Sequence, residues 1–75
     1  MSFQIKFSEQ ATKFLKGLDQ NILNRIKNKF KQVSEDPFRY LEHFEGDYHK
    51  LRIGKLRALI DIDNTNKILW VRVLD

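Results

Sequence analysis

Four cations, Lys50, Arg52, Arg57 and Arg72, fall on β-rich runs in the last third of this sequence, with Tyr48 and Trp70 in phase with them. A guanidinium presents a planar fork to two phosphate oxygens and keeps its charge at any ordinary pH. Aromatic planes hold splayed bases while cations grip the backbone. Gathered on one face, such a set suits an RNA phosphodiester. Cleavage by the 2′-hydroxyl requires stabilisation of a doubly charged phosphorane, removal of the hydroxyl proton and protonation of the leaving 5′-oxygen. The arginines address the first need, and Lys50 is the candidate proton acceptor.

Other chemistries find less support. There is no cysteine, which excludes a disulfide framework and a thiolate zinc site. His49 is expected to face the apolar side near the end of its strand in a structural role, and His43 to lie in a surface loop. No His, Asp or Glu arrangement has metal-ligand spacing, and no Gly-rich nucleotide loop or serine triad occurs. The residues therefore imply no metal and no cofactor, and metal-free chemistry is the catalytic reading that remains.

Positioning these residues falls to a short list of elements. SFQIKF, residues 2–7, alternates, so Phe3, Ile5 and Phe7 line the core side of a strand. Ser8 can cap a helix over residues 9–18 with Ala11, Phe14, Leu15 and Leu18 on one face, and Asp19 a second with the stripe Ile22, Leu23, Ile26, Phe30 and Val33. The second helix must end before Pro37. Phe38 to Gly46 reads as a loop anchored by Leu41 and Phe44. Three strands follow, DYHKLRI, LRALIDI and KILWVRVLD, joined by a two-residue turn at Gly54-Lys55 and a four-residue turn at Asp63-Asn64-Thr65-Asn66.

These turns set a register. Ile53 pairs with Leu56 and Arg52 with Arg57, and the second turn sets Ile60 against Leu69, Ala58 against Val71 and Leu59 against Trp70. One face is then apolar and covered by the helices. The other holds Tyr48, Lys50, Trp70 and a row of Arg52, Arg57 and Arg72. Like charges directly opposite one another destabilise a sheet. Either an anion relieves the repulsion, or the arginines splay into water or pair with Asp61, Asp75 or an acid from the loop.

The bulk composition agrees with a single small folded domain. The chain has 75 residues, 41% hydrophobic and 32% charged, with only three Gly and one Pro, which separates it from a disordered tail. A net charge of +4 favours polyanions or an acidic protein partner without choosing between them. No apolar run is long enough to span a bilayer or serve as a leader, so a cytoplasmic location with no membrane partner is expected. The fold class is α+β: a two-layer sandwich in which the N-terminal strand and helix hairpin pack on an antiparallel β-meander, in the order βααβββ.

That order, together with YHKLRIGKLRALIDI, resembles the RelE/ParE toxin superfamily, whose motif is an alternating basic strand, a Gly turn, an aromatic-Arg pair and a further apolar strand. FSEQATKFLKGLD is similar to the family's first strand and helix start, and DPFRYLEHFEGDYHKLRIG to the segment leading into the basic strand. The resemblance covers essentially the whole chain. It implies the toxin of a type II toxin–antitoxin module, a ribosome-dependent endoribonuclease that cuts mRNA in the A site without metal. The implied partners are the ribosome, mRNA and a cognate RelB-type antitoxin that wraps the toxin with an amphipathic helix. The resemblance puts Lys50 and Arg57 at catalytic positions and Arg52 at a phosphate contact, with Arg72, Tyr48 and Trp70 supporting RNA binding.

Two departures bear on this. Leu56 stands where the family has an aromatic residue. RelE toxins also carry a further catalytic Arg after the last strand, and often a Tyr beyond it, so residues 1–75 are expected to form one RelE-like domain lacking the family's C-terminal extension. Alternatives are a ParE-like toxin that inhibits DNA gyrase and a non-catalytic RNA- or antitoxin-binding module of the same fold.

Overall fold

The computed structural model describes residues 2–46 and 48–75, apart from the side chain of Phe44. Strand β1 (Gln4–Phe7) leads into helices α1 (Glu9–Lys16) and α2 (Gln20–Glu35) and a single helical turn, α3 (Pro37–Tyr40). Strands β2 (Glu42–Glu45), β3 (Tyr48–Ile53), β4 (Leu56–Asp63) and β5 (Ile68–Leu74) complete the chain. The sheet runs β1-β5-β4-β3-β2, an antiparallel meander from β2 to β5 with β1 added parallel to β5. This is the expected α+β sandwich, with one more strand and one more helical turn than βααβββ allows.

Local chemistry starts and stops the helices where the sequence suggests. Ser8 Oγ accepts from the Ala11 N–H at 3.1 Å, and Asp19 Oδ1 from the Ile22 N–H at 3.0 Å, so each side chain satisfies a backbone donor that the first helical turn leaves without an intrahelical partner. Pro37 ends α2 but starts α3, because at a first helical position its missing N–H costs nothing. The Leu41 N–H then closes that turn on the Pro37 carbonyl at 2.9 Å.

The helices lie on one side of the sheet. Ile26, Phe30 and Val33 of α2 and Ala11 of α1 meet Leu51, Ile53, Ala58, Ile60, Leu69, Val71 and Leu74 in one buried cluster, in which Phe7 and Phe30 stack edge to face at 5.5 Å. Ile22, expected in the stripe, is 37% exposed because it lies in the first turn of α2, at the rim of the core.

Three expectations need correction. Phe38 to Gly46 is not a loop: Pro37–Tyr40 is helical, and Glu42–Glu45 pairs antiparallel with β3, setting Glu42 opposite Lys50 and His43 opposite His49. Leu41 is buried as an anchor should be, while the Phe44 side chain lies outside the described residues. The register of β4 on β5 is also displaced. Asp63 stays in β4 and its carboxylate accepts from the Asn66 backbone N–H at 3.0 Å and side-chain amide at 2.9 Å, so the turn is residues 64–67, closed by Lys67 at φ 57°. Ile60 therefore faces Val71 rather than Leu69, and Asp61 rather than Leu59 faces Trp70. A shift of two partners preserves which side chains face inward, so Leu69 and Val71 remain in the core. Finally, Arg72 is the extra residue of a β-bulge, since Leu59 pairs with Val73 and Ile60 with Val71.

The β3–β4 turn is as read. Gly54 has φ +61°, while Lys55 keeps an ordinary negative φ, the combination of a type II′ turn that aligns Ile53 with Leu56 and Arg52 with Arg57.

Candidate nucleic-acid interface

The face of the sheet away from the helices carries Tyr48, Lys50, Arg57, Trp70 and Arg72, but it is not a row of arginines. Arg52 and Arg57 are direct partners on β3 and β4. Arg72 is displaced by the bulge and lies elsewhere, its Nε 2.8 Å from Asp61 Oδ2 and its guanidinium 5.0 Å above the Trp70 ring. Lys6, beside Trp70 in the β1–β5 register, places Nζ 5.4 Å from the same ring. Trp70 thus has two cations against its ring, a favourable use of the ring quadrupole.

Arg57 is engaged as well. Its Nε and Nη2 lie 3.2 Å from the two carboxylate oxygens of Asp75, and the two residues exchange backbone hydrogen bonds of 2.8 and 3.0 Å. Repulsion between Arg52 and Arg57 is therefore relieved by an internal carboxylate on one side of the pair. Beside this ion pair Lys50, half-buried, helps line a cleft of about 160 Å³ with Arg57, Leu59, Val73 and Asp75. Its chemistry is a lysine and an arginine at the polar mouth of a small apolar floor. Tyr48 is exposed opposite Asp61, two strands away from Trp70, with Asp61 of β4 between them.

Two features were hidden from the sequence. The two-residue displacement at the last turn and the one-residue bulge together bring Asp75 rather than Arg72 against Arg57, which alternation alone does not reveal. Arg52 also turns toward α2, where Arg25, Asn28, Lys29 and Gln32 border a groove of about 290 Å³. β2 stops short of Arg52, which leaves the end of β3 uncovered on that side.

The fold has close relatives in shape. The toxin–antitoxin complex RelBE2 from Mycobacterium tuberculosis contains a chain that superposes with a TM-score of 0.89 at 22% identity, covering 100% of this chain and 98% of that one. The archaeal RelE–RelB complex from Pyrococcus horikoshii gives 0.81 at 18% identity over 100% and 94% of the two chains. A mutant of the E. coli toxin RelE in the free state gives 0.80 at 19% identity, over 99% and 82%. No curated protein sequence matches significantly. Together with the sequence match below, this architecture defines a toxin domain of the RelE/ParE superfamily. Residues 5–75 match the ParE toxin of the type II toxin–antitoxin system parDE, and the chain belongs to that family.

Proposed function

We propose that this toxin is a ribosome-dependent, metal-independent endoribonuclease of the RelE type that cuts mRNA in the A site, with Lys50 and Arg57 as its catalytic pair. The observation that carries this reading is their convergence on one cleft, beside Arg52. In it, Lys50 as its neutral amine takes the proton of the attacking 2′-hydroxyl, becoming the ammonium, and Arg57 stabilises the charge that builds on the phosphorane. Arg52 holds a neighbouring phosphate, Tyr48 and Trp70 offer stacking planes, and Arg72 fixes Trp70 from above.

The Arg57–Asp75 pair gives the site a resting state in which the guanidinium fork is occupied. A phosphodiester must displace the Asp75 carboxylate to gain the same two donors, so binding is an exchange of one anion for another. Exposed pairs are weak, about 0–1 kcal/mol, and the exchange is accessible to a polyanion.

The second reading is a ParE-like toxin that acts on DNA gyrase without nuclease chemistry. It is favoured by the family match and by the fact that Arg57 and Arg72 each already face an acid. Incubating the protein with programmed ribosomes and mapping cuts in the A-site codon separates the two. Cuts that vanish in Arg57→Ala, with the fold intact by circular dichroism, support the first. Gyrase-dependent DNA breaks without mRNA cuts support the second and overturn the first.

The partner in either case is a cognate antitoxin of the RelB type, as in the complexes to which the fold is similar. A groove of about 260 Å³ between β1 and the helix hairpin, lined by Ile5, Phe7, Leu15, Leu23, Ile26 and Phe30 and flanked by Lys27 and Lys31, suits an amphipathic helix with acidic margins.

A further inference from the structure

We propose that His43 and His49 form a two-imidazole site for a divalent transition metal, of the copper, nickel or zinc class, at the joint between β2 and β3. The two histidines are direct partners across the antiparallel pair, and their rings stand edge to face with centroids 5.6 Å apart at 85°. Metal–nitrogen bonds of about 2.0–2.1 Å would set the centroids of two imidazoles on one tetrahedral ion roughly 5 Å apart, close to the spacing the two rings already have.

Ring chemistry points the same way. His43 Nε2 lies 2.8 Å from the Gly46 carbonyl oxygen, which can only accept, so Nε2 carries the proton and Nδ1 keeps its lone pair. A backbone carbonyl holding the far N–H is the usual support of a metal-bound histidine. On the other strand, His49 Nδ1 is buried and has no hydrogen-bond partner among the described residues, although a buried nitrogen normally finds one. An ion between the rings would engage a lone pair from each imidazole, with water completing its shell on the exposed His43 side. Copper, nickel and zinc are among the ions that imidazole suits.

The site is separate from the Lys50–Arg57 cleft and lies on the opposite face of the sheet, because His49 alternates with Tyr48 and Lys50. Its occupation would fasten the edge strand β2 to the strand that carries Lys50. Among the described residues no third His, Cys, Asp or Glu joins the pair, so open coordination positions and moderate affinity are expected.

Calorimetric titration of the protein with copper(II), nickel(II) and zinc(II) chlorides, in a buffer that does not chelate, tests this. Saturable binding of one ion per chain is expected, with a rise in the thermal midpoint and, for copper(II), nitrogen hyperfine structure from two imidazoles. Because His43 is exposed, His43→Ala should fold normally yet lose at least about tenfold in affinity, and His49→Ala should do the same where it folds. Equal affinity in the wild type and His43→Ala, or no saturable binding by the wild type, would overturn the proposal.

Discussion

Arg57 meets Asp75 twice, through a pair of backbone hydrogen bonds and through a two-point contact of guanidinium on carboxylate. Both side chains are more than half exposed, at 58% and 54%, so the pair contributes little to stability. Its effect is on what else Arg57 can hold. Asp75→Asn should change unfolding free energy by less than about 1 kcal/mol, read by urea titration. The same variant should bind single-stranded RNA more tightly and with a steeper dependence on salt, because one more guanidinium is free to displace counterions. Unchanged affinity would show that the carboxylate does not compete with phosphate.

Lys50 separates charge from proton transfer. If it accepts the 2′-hydroxyl proton, Lys50→Ala should slow A-site cutting by about 10²-fold or more. Lys50→Arg should be nearly as slow, since guanidinium keeps the charge and does not give up its proton. Full activity in Lys50→Arg would leave Lys50 a purely electrostatic role.

Gln10 makes a mimic of a strand pair. Its side-chain amide donates to the Leu74 carbonyl at 2.8 Å and its oxygen accepts from the Leu74 N–H at 2.9 Å, continuing the β5 edge where β1 has turned into helix. Two net hydrogen bonds at about 1 kcal/mol each make Gln10→Ala destabilising by roughly 1–2 kcal/mol, measured by denaturant unfolding. Gln10→Glu can accept but not donate, and should lose much of the same stability.

The core is small enough for one cavity to matter. Ile60, on the central strand, is fully buried, and Ile60→Ala should cost about 2–5 kcal/mol against a total stability of about 5–15 kcal/mol for an ordinary domain. A large fall in the thermal midpoint is the expected outcome.

Asp63 ties the last turn to pH. The Asn66 side-chain amide first, then the Asn66 backbone N–H, hold its carboxyl below the usual carboxylate range. A depressed folded value means the contribution is complete above the unfolded value, near ~4, and is lost as pH falls through the folded one. Asp63→Ala should remove that part of the acid-side loss, so the stability curves of the two proteins should converge at the lowest pH.

The sequence disclosed those parts of the fold whose signals are local. Ser8, Asp19, Pro37 and Gly54 each act within a few residues, so the caps, the end of α2 and the β3–β4 register follow from them. Strand β2 was hidden because a short edge strand holding Glu42, His43 and Glu45 is as polar as a loop, and its own irregularity between His43 and Glu45 breaks alternation. For the same reason the His43–His49 pairing could not be read. The four residues of the last turn are ambiguous by one position when Asp, Asn and Thr all suit a turn, and only the Asp63–Asn66 contacts decide. A bulge leaves no compositional mark and adds one residue to the two lost at the turn, so the alternation sets Arg72 opposite Arg57, where the structure has Asp75. Lys50, Arg52 and Arg57 came through because their register depends on the Gly54 turn alone.

The parallel seam between β1 and β5 has a temporal consequence. Residues 4–7 find their sheet partners only in residues 68–71, and Gln10 finds Leu74, so β1 and the start of α1 wait for a segment made 64 residues later. While the chain is being synthesised, α1 and α2 can form, but β1 has no strand to join, and such sequence-distant pairing is slow to establish. The cleft beside Lys50, which needs Val73 and Asp75 for its far wall, takes shape only after those residues have left the exit tunnel. Nascent chains of this protein are therefore without their candidate site until translation has passed β5.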